Sequence, residues 1–387
     1  MRVFVIAGEA SGDRLGAALM AGLRGLAQVE FTGVGGPLMH EQGLSSIFPM
    51  DDLSVHGLTE VARRYPLLRR RLHQTVGAVL ETRPDMLITI DSPDFCLRAA
   101  RLVRTKSAVR TVHYVAPSVW AWRPGRAAKM ARFIDHVLAL LPFEPPYMEA
   151  AGMACDFVGH PVVSERQASA AEIAGFRARH GLGGAPVLMV LPGSRRSEVA
   201  QLAPIFGRAL ETVCAARPDL RLVVPATVAR EEQVRAAIAD WPGQPVLIAP
   251  GRGGTDSHLA EKAAAFGAAD RALAASGTVS LELAAADTPM LIAYDVSRLS
   301  RLIFERMLKV DTLTLVNLVS ETRAVPELLG AACRPDRITA ALLRLLDDPG
   351  DQRAAMRLTM ERLGAGGEAP GLRAARAVLA RLEGTRA

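Results

Sequence analysis

Short apolar runs that alternate with helical patterns constrain the fold of this chain more than any other feature. Continuous Val, Ile and Leu runs of strand length, separated by helices, are typical of parallel strands covered on both faces. The runs are Val3–Ala7, Val29–Val34, Met86–Ile90, Arg110–Val115, Val137–Leu141, Phe157–Val158, Val187–Leu191, Leu220–Val224, Val246–Ala249, Ala272–Ala275 and Met290–Tyr294. The pattern begins again near residue 186, after a polar, alanine-rich stretch. We therefore predict an α/β protein with two Rossmann-like, doubly wound parallel-sheet domains that face a cleft.

Length and periodicity set the predicted boundaries. The chain has 387 residues, which is too long for one compact domain and suits two. We expect an N-terminal domain at 1–165 and a second domain at 166–350. Apolar residues recur at helical spacing from Asp336 onward. We expect the helices of 351–387 to pack back on the first domain.

Composition limits where the protein can be located and what it can bind. No apolar run reaches the ~18–20 residues that a bilayer span requires, and a polar loop follows the first run too closely for a signal peptide. We expect a cytoplasmic protein. The four cysteines are far apart and predict reduced thiols without a structural metal. The net charge of +6, carried mostly by arginine, indicates an anionic partner: a phosphate ligand, a membrane surface or a nucleic acid.

Two loops in the second half each follow a predicted strand and open a helix with small residues. They contain Gly193, Ser194 and Arg195 after the first strand of that half, and Ser276, Gly277, Thr278 and Glu282 after a later one. Such loops present backbone N–H groups to a diphosphate, and Arg195 adds a fork of donors. Glu282 lies about one helical turn after Thr278, where its carboxylate can accept from ribose hydroxyls. The loops predict a nucleotide-activated substrate.

Two loops in the first half contain candidate catalytic groups. Asp91 and Asp94 directly follow a buried strand, at the end that faces the predicted cleft. One carboxylate would act as general base on an acceptor hydroxyl while the other tunes it, although an Asx turn with a helix cap is the alternative. The loop Gly8–Asp13, with Glu9 and Ser11, follows the first strand. It is either a ligand-facing loop or a tight turn with a helix cap.

Three further segments are weaker candidates. The loop His113–Arg123 holds Trp120 and Trp122, which would contact a sugar, an acyl chain or a phosphate, or plug a domain edge. The region Gly57–His73 forms a basic amphipathic surface, interrupted by Pro66, that either rests on anionic lipid or is a solvated face. Its basic residues are Arg63, Arg64, Arg69, Arg70 and Arg71. The residues Phe304, Arg306, Lys309, Asn317 and Arg323 follow the last predicted strand and would line the same cleft.

In this order and spacing, the motifs resemble those of the lipid-A-disaccharide synthases, inverting glycosyltransferases of the GT-B architecture. The resemblance runs from the first strand to about residue 350. The segments that carry it are Gly8–Asp13, Ile90–Phe95, His113–Trp122, Leu141–Glu144, Val158–His160, Leu191–Arg195 with Glu198, and Ser276–Glu282.

The resemblance implies a reaction and a role for each candidate residue. The family transfers 2,3-diacylglucosamine from its UDP carrier to the 6-hydroxyl of 2,3-diacylglucosamine 1-phosphate, which gives a β-1,6-linked disaccharide and UDP. By resemblance, Asp94 is the base and Asp91 its neighbour. By resemblance, the region that holds UDP contains Arg195, Ser276, Gly277, Thr278, Glu282 and Asn317, and the loop before Arg195 adds Gly193 and Ser194 as candidates. From their loops alone, Glu9, Ser11, Trp120 and Arg323 are candidates for contact with the acceptor or its acyl chains.

The resemblance also implies a setting and partners. The family is peripheral to the inner face of the cytoplasmic membrane, in agreement with the arginine-rich region, and some members form dimers, so a homodimer is possible. The sequence has no Asp-x-Asp. We therefore expect no metal and no cofactor, because GT-B sites commonly stabilise the leaving diphosphate with helix N-termini and arginine.

Three alternatives remain open. A UDP-N-acetylglucosamine 2-epimerase, or another GT-B enzyme that acts on soluble UDP-sugars, would need no acyl chains. A nucleic-acid-binding protein would explain the positive charge, but the arginines do not belong to a known nucleic-acid motif. A NAD-linked oxidoreductase is disfavoured because Gly-x-Gly-x-x-Gly is missing.

Overall fold

The protein divides into two compact units. The computed structural model describes residues 1–54, 58–123, 125–249, 255–296 and 310–383, without the side chains of 58–62, 255–256 and 383. The first unit contains Met1–Ser164 and Gly366–Ala387, and the second contains Glu165–Ala365. The division lies one residue before the boundary predicted at 165. Residues 351–365 belong to the second unit, contrary to the prediction, because their helix packs on other helices of that unit.

The first unit is built on a seven-stranded parallel sheet in the order β3-β2-β1-β4-β5-β6-β7. The strands are β1 Arg2–Ala7, β2 Glu30–Val34, β3 Ser45–Ser46, β4 Met86–Ile90, β5 Arg110–Tyr114, β6 His136–Ala139 and β7 Ala154–Phe157. The helices are α1 Ala10–Leu26, α2 Pro37–Glu41, α3 Leu58–Thr82, α4 Pro93–Arg104, α5 Gly125–Met130, α6 Pro145–Glu149 and α15 Pro370–Glu383, with short 3-10 turns at Met50–Asp52 and Pro161–Ser164. The apolar side chains of β1 and β4 are almost completely buried, as expected for strands covered on both faces.

The second unit is built on a six-stranded parallel sheet in the order β10-β9-β8-β11-β12-β13. The strands are β8 Val187–Leu191, β9 Arg221–Pro225, β10 Val246–Ile248, β11 Arg271–Ala274, β12 Met290–Tyr294 and β13 Glu327–Leu329. The helices are α7 Ala170–Arg179, α8 Arg196–Ala216, α9 Glu231–Ala237, α10 Thr255–Ala268, α11 Val279–Ala285, α12 Leu315–Ser320, α13 Pro335–Asp347 and α14 Gln352–Arg362, with 3-10 turns at Val228–Arg230 and Gly330–Ala332. The predicted fold class of two doubly wound parallel-sheet units is therefore confirmed.

Strand order places the candidate loops next to each other within each unit. In the first sheet β1 pairs with β4, with Ala7 opposite Ile90, and the order of the strands along the chain reverses at this pair. In the second sheet β8 pairs with β11, with Ala274 opposite Leu191. In doubly wound sheets, ligands bind at the carboxyl ends of the strands on either side of such a reversal.

Helix α3 differs from the prediction. Pro66 lies inside a continuous helix of 25 residues and does not interrupt it.

Among the described residues, no helix has both the length and the apolar character that a membrane span requires.

Candidate functional site

Four of the predicted residues lie at the carboxyl edge of the first sheet. Ser11, in the first turn of α1, donates its hydroxyl to Asp91 Oδ2 at 3.3 Å. Asp91 follows β4 directly and is half-buried, whereas Asp94 is exposed in the first turn of α4. Glu9 lies in the turn between β1 and α1. This edge therefore presents two carboxylates on one loop, with a hydroxyl from the neighbouring loop on the first of them.

The loop after β4 is strained. Asp91 and Ser92 have φ of 49° and 40°, in the left-handed region that non-glycine residues avoid. Each such residue costs on the order of 1–3 kcal/mol, and such strain concentrates at functional sites. Ser92 ends this turn as the residue before α4, beside Gly8, where a Cβ would lie 2.7 Å from the Ser92 hydroxyl.

Trp120 has a structural contact. Its indole N–H donates to Glu144 Oε1 at 3.3 Å, and its ring packs edge-on against Phe143 with centroids 5.2 Å apart. Glu144 Oε2 also accepts from the backbone N–H groups of Leu140 and Leu141. Burial raises the pKa of Glu144 from 4.5 to about 7. The indole N–H of Trp120 is thus used inside the unit, which leaves only the ring for the predicted contact with acceptor or acyl chain.

The arginine-rich face of α3 is smaller than predicted. Arg71 forms an ion pair with Asp52 at 2.6 Å and stacks on the Phe48 ring at 4.6 Å. Arg63, Arg69 and Arg70 are exposed, as is Tyr65. Arg64 is half-buried.

The loop after β8 folds around the carboxylate of Glu198, a residue in the first turn of α8. Glu198 Oε2 accepts from the backbone N–H groups of Ser194 and Arg195, both at 3.1 Å. Its Oε1 accepts from Arg195 Nη1 at 2.7 Å and from the Tyr294 hydroxyl at 3.3 Å. We predicted that this loop would present N–H groups to a diphosphate; in the structure, the N–H groups of Ser194 and Arg195 donate to Glu198 instead. The spacing Arg195-x-x-Glu198, which resembles a capping box, was the signal that could have revealed it.

The loop after β11 remains open. Ser276 is half-buried, and Gly277 and Thr278 are exposed. Within the described part of the chain, no protein oxygen accepts from the N–H groups of residues 277–279. A Cβ on Gly277, whose φ is 149°, would meet nothing within 4 Å. The loop therefore offers donors and space to a ligand.

Glu282 is not isolated, because Lys262 lies 2.7 Å from its carboxylate. Lys262 stands on α10 and was not among the predicted residues; nothing in its sequence position distinguishes it. A lysine at this distance orients the Glu282 carboxylate, whose other lone pairs can still accept from hydroxyl groups.

Asn317 and Arg323 have structural partners. Asn317 is buried; its amide donates to the Val325 carbonyl at 2.8 Å and accepts from the Val325 N–H at 3.0 Å. The Asn317 amide therefore holds the loop that follows α12, and its contact with UDP stays a prediction. Arg323 is tied to Asp311, with bonds of 2.7 and 3.0 Å to Oδ2. The candidates Phe304, Arg306 and Lys309 lie outside the described residues.

In the described segments, no three His, Cys, Asp or Glu side chains lie close enough together to bind a metal ion. The expectation of a reaction without metal or cofactor stays a prediction.

Comparisons with known proteins agree over almost the whole chain. The family model described as "Lipid-A-disaccharide synthetase" matches residues 3–369. A lipid-A-disaccharide synthase from Ruegeria pomeroyi is 64% identical over 386 residues, which cover 99% of this chain and 96% of the relative. Another from Rhodospirillum centenum is 50% identical, covering 97% of this chain and 94% of the relative.

Solved structures are similar in fold. A UDP-GlcNAc 2-epimerase from Neisseria meningitidis, bound to UDP-GlcNAc, superposes with a TM-score of 0.65 over 99% of this chain and 100% of its own. At 11% identity this likeness concerns the GT-B fold alone. It therefore does not favour the epimerase alternative over a glycosyltransferase.

Proposed function

The chain belongs to the lipid-A-disaccharide synthase family of glycosyltransferases, and from this premise we propose its substrates and the role of each site residue. The donor is UDP-2,3-diacylglucosamine and the acceptor is 2,3-diacylglucosamine 1-phosphate. The products are UDP and the β-1,6-linked disaccharide 1-phosphate. The observation that carries this proposal is the 64% identity to a lipid-A-disaccharide synthase along almost the entire chain.

Asp94 is the proposed general base. Inversion requires one displacement at the anomeric carbon, so one carboxylate must take the proton of the 6-hydroxyl as its oxygen attacks. The exposed position of Asp94 on the first turn of α4 suits contact with an acceptor. Asp91 accepts a hydrogen bond from Ser11 and is half-buried, so its proposed role is to orient the acceptor. Glu9 and Ser11 are proposed to contact the acceptor from the neighbouring loop.

The second unit is the proposed donor site. The open loop Ser276-Gly277-Thr278 would hold the diphosphate with backbone N–H groups at the start of α11, and Glu282 would accept from the ribose hydroxyls. Arg195 would neutralise the charge that develops on the β-phosphate as UDP leaves. In this proposal Gly193 and Ser194 shape the loop and do not bind UDP through their own N–H groups, and Asn317 acts indirectly by holding the loop after α12.

We propose that the protein is cytoplasmic and associates peripherally with the inner face of the cytoplasmic membrane. The exposed Arg63, Arg69 and Arg70 of α3 would face anionic headgroups, and Tyr65 would lie at the headgroup level. Sedimentation with anionic vesicles, but not with neutral ones, is the expected result. A homodimer is compatible with the family and would appear in light scattering.

The first experiment measures UDP release in detergent micelles from UDP-2,3-diacylglucosamine, with and without 2,3-diacylglucosamine 1-phosphate. We expect release only when the acceptor is present. The D94N variant should lower kcat by about 10²–10⁴-fold, because it removes the base without changing the shape of the side chain. The matched control is D51N, which neutralises an exposed aspartate of the same unit and should leave kcat unchanged.

The other outcomes separate the alternatives. If D94N keeps wild-type activity while D91N loses it, the base is Asp91. Turnover of UDP-N-acetylglucosamine without an acylated acceptor would replace the proposed substrates with soluble UDP-sugars. Tight binding of random oligonucleotides at physiological ionic strength would support the nucleic-acid alternative.

A further inference from the structure

Glu198 is a buried carboxylate around which the loop after β8 is built. It lies in the first turn of α8, its side chain is 9% exposed, and it turns back toward residues 193–195. Its two oxygens accept from two backbone N–H groups, one guanidinium nitrogen and one phenol. Four donors on one carboxylate compensate for its burial.

Gly193 makes room for this carboxylate. Its φ is 115°, and a Cβ at this position would lie 2.5 Å from the Glu198 Cβ and 2.8 Å from its Oε2. The glycine is therefore required by both backbone conformation and space. The loop after β8 and the Glu198 side chain therefore pack directly against each other.

Tyr294 connects Glu198 to a second strand. It is the last residue of β12, and β11 lies between β8 and β12 in the sheet. The bond between Glu198 and Tyr294 therefore spans the end of β11, where the open loop Ser276-Gly277-Thr278 begins. Burial and the neighbouring Glu198 raise the pKa of Tyr294, so its phenol remains a hydrogen-bond donor.

We infer that Glu198 is a positioning residue that orients the guanidinium of Arg195 toward the diphosphate of the donor, with Tyr294 as its second anchor. This inference rests on the proposed donor site. Arg195 is 76% exposed, and an exposed arginine loses rotamer freedom when it binds a ligand. The ion pair with Glu198 imposes that order before the ligand arrives. Because a guanidinium carries five N–H donors, it can hold Glu198 through Nη1 and a diphosphate oxygen along another edge.

The E198Q variant separates the two tasks of Glu198. A glutamine oxygen can still accept from the N–H groups of Ser194 and Arg195, but its NH₂ presents donors to the guanidinium and the phenol. The loop should keep its shape while Arg195 loses its anchor. We expect the Kd for UDP, measured by titration calorimetry, and the KM for the donor each to rise roughly tenfold with a near-wild-type Tm. Y294F should give a smaller loss of the same sign.

The matched control is E231Q, which breaks an ion pair with Arg235 at 2.8 Å on α9 of the same unit. It should change neither the Kd for UDP nor the KM. A double-mutant cycle provides the decisive comparison: in an R195A background, E198Q should have no further effect on UDP binding, because Glu198 acts through Arg195.

Two results would overturn the inference: wild-type UDP affinity in E198Q, or an equal loss from E198Q in the R195A and wild-type backgrounds. The second result would assign Glu198 to the fold alone. A wild-type protein that does not bind UDP would instead overturn the proposed donor itself, and the two failures are thereby distinguished.

Discussion

Glu144 makes the stability of the first unit depend on pH. Glu144 is 4% exposed, and burial raises the pKa of its carboxyl group from 4.5 to about 7. The folded protein therefore binds this proton more tightly than the unfolded chain does. The free energy of unfolding must fall as pH rises from 4.5 through about 7, because Glu144 then ionises inside the unit.

The E144Q variant should lack this loss, since glutamine does not ionise and its oxygen can still accept an N–H. We expect the Tm of E144Q, relative to wild type, to increase between about pH 5 and pH 8. Thermal melts across this range provide the test, with exposed Glu149 changed to Gln as a control whose difference from wild type stays constant. An E144Q difference that is independent of pH would show that Glu144 does not titrate in this range.

Single residues also show how far the site could be predicted from the sequence. The position of Asp91 and Asp94 at the carboxyl edge of the first sheet could be predicted because they follow a clear strand, and ligands of such sheets bind at that edge. The sequence could not reveal that Glu198 fills the loop after β8 or that the Asn317 amide is fully used. Whether an N–H or an amide has a partner depends on a side chain that folds back on it, and residue spacing alone does not determine this.

Among the helices, α2 depends on a residue of α1. The carboxylate of Asp13 accepts from the N–H groups of Gly36, Leu38 and Met39, at 2.9, 3.0 and 3.0 Å. Asp13 therefore caps the start of α2, although it lies in α1. This contact fixes α2 beside the first turn of α1, which also contains Ser11.

We expect D13N to lower the free energy of unfolding by roughly 1–3 kcal/mol, because an amide NH₂ replaces one of the acceptors and faces a backbone N–H. Urea titration followed by circular dichroism measures the change. D51N alters an exposed aspartate of the same unit and should be neutral. Equal midpoints for D13N and D51N would mean that the three N–H groups find other acceptors.

The elements themselves differ in how well the sequence predicts them. Interior strands such as β4 and β8 were predicted at their observed bounds, because burial on both faces demands continuous apolar residues. The edge strands β3 and β13 were missed. β3 has two residues and β13 has three, and a strand at the edge of a sheet is less buried than an interior strand. Their sequences therefore contain no apolar run long enough to predict a strand. Pro66 suggested a break in α3, but the helix continues through it.

The C-terminal segment of the chain belongs to the same compact unit as the N-terminal segment. After the second unit, residues 366–387 return to the first. Helix α15 packs on α1, and its Ala374, Ala375 and Val378 are buried in the core of the first unit. The two helices approach closely at glycines: a Cβ on Gly371 would lie 2.6 Å from the Ala18 carbonyl oxygen.

A chain that ends at residue 365 should therefore lose stability in the first unit only. Removal of α15 exposes the apolar face of α1, which costs about 25 cal/mol for each Å² of apolar surface returned to water. Hydrogen exchange measured by mass spectrometry should show faster exchange in peptides from 1–164 and unchanged exchange in peptides from 165–365. A chain that ends at Glu383 keeps the complete helix and is the control. Faster exchange in peptides from both units would contradict this prediction and would mean that the two units unfold together. The point variant G371A, which disturbs only the contact between α1 and α15, would then destabilise both units as well.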